Sequence, residues 1–262
     1  MSVPNMNSTC RGGALLPRIS WQQCWDALWY AVLPDWCVGC RAPLSTHRVP
    51  FWCEACWGSL IPLRGPQCPR CGIPFSSPMT LIHSPAYQCQ TCRMSKPAYE
   101  RALSLYPYAS PLREAIHRFK YGRTLAMGRV LAQLMIQALP ESIEVDIVVP
   151  VPLAPARLRE REYNQSLILA LEVARALRRP VADSVLWRQR EGTPQTALPR
   201  RARLRNLRRA FTVIDTAPIR EKRILLIDDV LTTGTTLNEC AKALRKAGSG
   251  PVTALTLART LA

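Results

Sequence analysis

The sequence predicts an α/β protein: a parallel sheet flanked by helices, preceded by a small N-terminal module built on cysteine pairs. Three observations carry this. Apolar runs suited to buried strands (145–151, 224–227, 252–257) alternate with stretches of helical periodicity, the pattern of parallel strands joined by right-handed crossovers. Four Cys-x-x-Cys pairs crowd residues 37–92. Residues 223–244, RILLIDDVLTTGTTLNECAKAL, carry two adjacent carboxylates into a threonine/glycine turn that opens a helix.

Composition bounds the class. A chain of 262 residues suits one large domain with a small appendage and can bury a core. A formal charge of +17 favours anionic ligands such as phosphates, nucleic acid or acidic partners, although solubility alone also accounts for such a balance. The excess is uneven, with eight arginines against one glutamate in residues 186–212. The longest apolar run near the start, 27–33, is far shorter than the ~20 residues of a membrane span. No basic region, apolar core and small-residue cleavage site follow in order, so a cytoplasmic location is expected. Thiols stay reduced there, which makes the 11 cysteines a question of metal rather than of disulfides.

Taken in order, residues 1–18 are polar and read as a loose tail. Trp21, Cys24, Trp25, Leu28, Trp29 and Val32 repeat at three- and four-residue steps, predicting an amphipathic helix over 19–33. Lacking a basic cluster, it suits packing on the folded body better than a membrane surface. These form a first unit, 1–34. The second, 35–96, holds Cys37/Cys40, Cys53/Cys56, Cys68/Cys71 and Cys89/Cys92, with 12, 11 and 17 residues between successive pairs. Two residues between thiolates let both face one ion, and two such knuckles complete a closed, structural four-thiolate site. The simplest pairing is sequential, giving two Zn2+ in a double zinc ribbon. The spacing also accommodates a cross-braced pairing. His47 and His83 lie between knuckles and could substitute, but eight cysteines already fill two sites. Cys10, Cys24 and Cys240 fall outside the pattern and read as plain thiols. With so little apolar sequence, the module is expected to draw most of its folding energy from metal. It is either a stabilising appendage or a docking surface for nucleic acid or protein.

The α/β unit is expected over 97–262. Leu103, Leu105 and Tyr108 suggest a strand, and Pro111 opens a helix toward Lys120. Residues 124–139 and 164–177 are helical patterns flanking a strand at 145–151. Further strands are expected at 211–214, 224–227 and 252–257, with a helix from Leu237 to Ala247 closed by Gly248. Ligands of such sheets sit beyond the carboxyl ends of the strands, where Asp228 and Pro150 both emerge.

The stretch 223–244 has the chemistry of a phosphate cradle. First-turn N–H groups and the positive helix end face an anion, and the hydroxyls of Thr232, Thr233, Thr235 and Thr236 add donors. Gly234 licenses the sharp turn. Asp228 and Asp229 would repel phosphate, so they suit sugar hydroxyls or Mg2+. No Gly-Lys-Ser/Thr closes the loop, which excludes a Walker loop. The bland alternative is an ordinary strand–helix connection with a threonine-rich cap. The run of apolar strand, Asp-Asp and Thr-Thr-Gly-Thr-Thr resembles the ribose-phosphate motif of type I phosphoribosyltransferases. That resemblance implies acids on the 2′- and 3′-hydroxyls of phosphoribosyl pyrophosphate (PRPP) and a loop around its 5-phosphate.

Residues 150–166, PVPLAPARLREREYNQS, bring Arg157, Arg159 and Arg161 to the same crevice, where guanidinium forks suit phosphate oxygens. The bland alternative is a solvated basic helix start. Here PVPL, Arg157 and Arg161 four apart, Asn164-Gln165, Ile116-x-x-Phe119-Lys120-Tyr121, Gln195-x-x-Leu198, Arg203-x-x-Asn206, Ala210-Phe211 and the cysteine knuckles resemble the ComF/GntX family of competence-related phosphoribosyltransferase-like proteins over about 34–260. The resemblance implies binding of PRPP or ribose 5-phosphate with Mg2+. Asp228 and Asp229 would fix ribose, the 232–236 loop would hold phosphate, and Arg157 and Arg161, with Lys120, would steady departing pyrophosphate. It also implies a part in DNA uptake or nucleotide metabolism, alone or with a DNA-uptake or DNA-processing protein. The alternative is a catalytically silent form of the fold that binds single-stranded nucleic acid or such a partner. One departure stands out: the family's Arg-Gly-Phe-Asn-Gln is Arg161-Glu162-Tyr163-Asn164-Gln165 here. Without glycine to license a positive φ, this loop is expected to sit differently. Residues 188–209 read as a lid over the diphosphate, a nucleic-acid track or a solvated basic surface.

Overall fold

The computed structural model describes residues 36–44, 49–77, 79–82, 84–140, 143–188 and 210–261. The tail, the helix expected over 19–33, Cys10, Cys24, His47, His83 and the arginine-rich run beyond Arg188 lie outside the described residues.

The cysteine module contributes three short helices, α1 (Glu54–Gly58), α2 (Met79–Ile82) and α3 (Gln90–Ser95). The α/β unit follows as β1 (Arg101–Pro107), α4 (Leu112–Tyr121), α5 (Leu125–Gln137), β2 (Ile147–Pro150), α6 (Pro155–Arg161) and α7 (Gln165–Leu177). Then come β3 (Leu186–Arg188), β4 (Phe211–Val213), β5 (Ile224–Leu231), α8 (Thr235–Lys246) and β6 (Val252–Arg259). Four strands form one sheet in the order β1-β6-β5-β2, every pair parallel.

Alternation along β5 builds two cores. Leu225 and Ile227 join Phe119 of α4, Leu131 of α5 and Leu169 of α7 in one cluster. Ile224 and Leu226 join Leu237, Cys240, Ala241 and Leu244 of α8 in the other. The sheet thus carries α4, α5 and α7 on one face and α8 on the other. Phe119 is fully buried, and truncating such a side chain to alanine costs about 3–5 kcal/mol.

Two strand expectations need correction. Residues 211–214 are not part of the parallel sheet: β4 pairs antiparallel with β3, an element the sequence pattern did not reveal. The expected strand 224–227 runs on to Leu231, so Asp228 and Asp229 lie within it. Pairing with β6 sustains the extension, with Leu231 opposite Arg259 and the Thr260 N–H donating to the Leu231 carbonyl at 3.1 Å.

The cysteine module lies along the free edge of β1. The Leu63 N–H donates to the Leu105 carbonyl at 2.7 Å, and the Ala102 N–H donates to that of Arg70 at 2.8 Å. Trp52 is buried in the α4–α5–α7 core. An edge strand's unpaired backbone groups are thereby covered.

Candidate functional site

Pro150 and Ile227 are register partners, so β2 and β5 open their carboxyl ends side by side. At that edge β5 carries Asp228 and Asp229, which take their partners from the start of α7 and the end of α4. Asp228 is half-buried and accepts the Ser166 hydroxyl at 2.9 Å and the Asp229 N–H at 2.9 Å. Burial, with the charge of Asp229 next, pushes the Asp228 carboxyl up to about 7, while Ser166, the Asp229 N–H and Lys120 pull the other way. Asp229 is buried and forms an ion pair with Lys120 Nζ at 2.9 Å. The two acids are therefore not equivalent: burial raises the proton affinity of one, and the other is paired with a cation.

The threonine loop has the expected form. Gly234 sits at φ +75° as the N-cap of α8, in the left-handed region that favours glycine. Having no side chain, it offers no cap to the first turn, where the Thr235 N–H donates to the Thr233 hydroxyl at 3.4 Å beside the positive helix end. Thr232 and Thr233 are exposed, Thr235 and Thr236 half-buried, and the Thr233 and Thr235 hydroxyls are bonded at 2.9 Å.

The arginines fare differently. Arg157 is exposed and pairs with Glu160 at 3.2 Å. Arg161 turns inward, donating from Nη1 to Gln165 Oε1 at 3.1 Å and from Nη2 to the Tyr121 hydroxyl at 3.2 Å, with its guanidinium 5.0 Å from the Tyr121 ring. Arg161 Nε and Gln165 Nε2 are buried donors without a partner among the described residues. Where the family has glycine, Glu162 takes φ +67° at the C-cap of α6, so a non-glycine residue adopts the left-handed turn. Contacts to the end of α4 hold it there. Glu162 pairs with Arg123 at 2.9 Å, and the Tyr163 hydroxyl donates to the Phe119 carbonyl. Asn164 caps α7, accepting the Ser166 N–H, and donates to the Val151 carbonyl at 3.1 Å. Sequence reasoning missed Ser166 as a partner of Asp228; its position just after Asn164-Gln165, at a helix start, was the available signal.

The eight cysteines form two clusters, Cys37/Cys40/Cys53/Cys56 and Cys68/Cys71/Cys89/Cys92, the sulfurs of each lying within 4.8 Å of one another. This is the sequential pairing, and it decides against the cross-braced one. Cys40 and Cys53 sulfurs are 3.7 Å apart, as are those of Cys71 and Cys89. Tetrahedral Zn2+ with ~2.3 Å bonds places sulfurs about 3.8 Å apart, so both sets fit the ion. Burial alone would raise the Cys37 thiol, but N–H donors of Cys40, Cys53 and Gly39 outweigh it and bring it down to about 6. Cys68 is likewise raised by burial but lowered to about 7 by N–H groups of Cys71, Cys89 and Arg70.

A cleft of ≈ 640 Å³ lies between the first cluster and α4, lined by Trp36, Arg41, Tyr108 and His117 among others. Neither the acids nor the threonine loop line it.

A parallel sheet with acids and a threonine/glycine helix start at its carboxyl edge defines a type I phosphoribosyltransferase-like domain, here joined to two structural zinc sites. The family model of the double zinc ribbon domain matches residues 28–93, and that of the phosphoribosyl transferase domain matches residues 163–262. The chain is 30% identical over 235 residues to the DNA utilization protein YhgH of Salmonella typhimurium, covering 87% of this chain and 99% of that one. It is 29% identical to competence protein F of Haemophilus influenzae, covering 85% and 96%, and 27% identical to competence protein ComFC of Streptococcus pneumoniae, covering 79% and 87%. The chain belongs to the ComF/GntX family. Among solved structures, orotate phosphoribosyltransferase from Aeropyrum pernix aligns with TM-score 0.36 and 20% identity over 58% of this chain and 66% of that one. No helix among the described residues is long and apolar enough to cross a membrane.

Proposed function

We propose that this protein binds PRPP or ribose 5-phosphate at the carboxyl end of β5 and acts as a phosphoribosyltransferase, in DNA uptake or nucleotide metabolism. The observation that carries the reading is the start of α8 at Gly234, which makes no side-chain cap bond and follows Asp228 and Asp229 of β5 in the chain. The 5-phosphate takes the first-turn N–H groups and threonine hydroxyls of residues 232–236. The ribose hydroxyls donate to Asp228, and to Asp229 once Lys120 moves off it. Lys120 and Arg161 then face the pyrophosphate, with the buried donors Arg161 Nε and Gln165 Nε2 supporting an anion there. Arg157 joins from the exposed side of α6 by exchanging Glu160 for a phosphate oxygen.

Carboxylate oxygens suit Mg2+, and Asp228, free of an ion pair with lysine in this structure, is the fitting ligand. Bound with PRPP, Mg2+ would neutralise diphosphate charge. The protein's own residues supply fixed donors around the leaving group. No described side chain at the site stands out as a nucleophile, so the acceptor, a nitrogen base, makes the new bond. Calorimetry with PRPP and Mg2+, alongside pyrophosphate release across a panel of bases, tests this. Binding without release for every acceptor would retire the enzyme reading.

The names of the competence and DNA utilization relatives favour a second reading: a catalytically silent fold that binds single-stranded nucleic acid or a DNA-processing partner. Salt-dependent strand binding that survives Asp228→Asn and Asp229→Asn would support it.

A further inference from the structure

We infer that the second zinc ribbon positions the phosphate loop, acting through Tyr99 and Asn238; the inference rests on the ribose-phosphate reading above. The chain leaves Cys92 through Lys96, whose N–H donates to the Cys92 carbonyl at 3.1 Å. Two residues later the Ala98 N–H donates to Asn238 Oδ1 at 2.8 Å, one turn into α8. Tyr99 follows, 3% exposed, and its hydroxyl lies 3.4 Å from where a side chain on Gly234 would begin. At the other end of the loop, Arg259 pairs in register with Leu231 and donates from Nη1 to the Cys71 carbonyl at 2.7 Å. The segment 231–238 is thus fastened at both ends, and backed at Gly234, by residues next to the second cluster. The first cluster packs elsewhere: a side chain added at Gly39 would meet Pro111 at 2.4 Å, at the start of α4.

The loop has little of its own to hold it, since Thr232 and Thr233 are exposed and the Thr233–Thr235 bond is internal to the turn. Converging N–H groups grip an anion only when their supports fix them within a fraction of an ångström. Zn2+ in the second cluster orders those supports. Linkage is reciprocal: a ligand on the loop stabilises metal in that cluster by the same factor. Tyr99 and Asn238 are positioning residues, touching neither metal nor phosphate.

The test uses the full zinc-loaded chain, excess chelator, a thiol-alkylating reagent and residue-resolved mass spectrometry, with and without saturating ribose 5-phosphate. The ligand is expected to slow labelling of Cys68, Cys71, Cys89 and Cys92 about fivefold while Cys37, Cys40, Cys53 and Cys56 change less than about twofold. Tyr99→Phe and Asn238→Ala should each abolish that difference and weaken ribose 5-phosphate binding by about the same factor at unchanged zinc content. Should Asn238→Ala fail to fold, Tyr99→Phe, which keeps the ring, carries the test. Equal or absent protection of both sets, while calorimetry still registers binding, overturns the inference and leaves the ribose-phosphate reading standing. No binding at all overturns both.

Discussion

Asp228→Asn probes whether the protein holds a carboxyl at a cost to its own stability. The Asp228 carboxyl moves from an ordinary 3.8 to about 7 on folding, first through burial and then through the charge of Asp229. The folded value lies above the unfolded one, so the folded chain prefers the protonated acid. The corresponding stability is fully present below pH 3.8 and is lost as pH rises through about 7. At 1.36 kcal/mol per decade of proton affinity, the bound on that loss is about 4 kcal/mol. The side chain is only half-buried, and solvent screening brings the expected value nearer to about 2 kcal/mol. Asparagine keeps an oxygen for the Ser166 hydroxyl and carries no charge. Urea denaturation at pH 4 and pH 8 should therefore show near-equal stability at the lower pH. At pH 8 the variant should be more stable by about 2 kcal/mol, with ribose 5-phosphate affinity reduced by about tenfold for want of a charged acceptor. A variant no more stable than the parent at pH 8, or the same pH profile in both, would refute the argument.

Lys120→Met strands the buried Asp229 carboxylate and should cost about 3 kcal/mol in denaturant titration, whereas adding Asp229→Leu should restore much of it. Glu162→Val places a β-branched residue in the left-handed turn after α6 and should lower stability by about 1–2 kcal/mol, measured as a fall in Tm. Elemental analysis should find two Zn2+ per chain, and Cys71→Ser should leave one tightly held; a four-thiolate site that is lost takes its module's folding energy with it.

The metal clusters and the phosphate loop were legible because their chemistry is local. A Cys-x-x-Cys knuckle or a Thr-Thr-Gly-Thr-Thr turn on a helix start is complete within a few residues. Gly234 was expected at a sharp turn and sits at φ +75°. Glu162 shows where local reasoning ends. Residue type argued against a left-handed turn there, yet contacts to Arg123 and the end of α4 hold it at φ +67°. The partners of Asp228 and Asp229, Ser166 and Lys120, lie 62 and 109 residues away in the chain, and no spacing rule could have joined them.

By itself the sequence determined the alternation of strands and helices, the eight thiolates and the acidic strand end leading into a helix, since each depends on residue types at short spacing. Tertiary structure alone decided the rest. It chose which knuckles cluster together, moved 211–213 out of the parallel sheet, buried one acid against Ser166 and paired the other with a lysine, and set Tyr99, just beyond the second ribbon, against Gly234. These are contacts between distant segments, set by how the sheet's faces and its free edge are covered, and their free energies exist only once those surfaces meet.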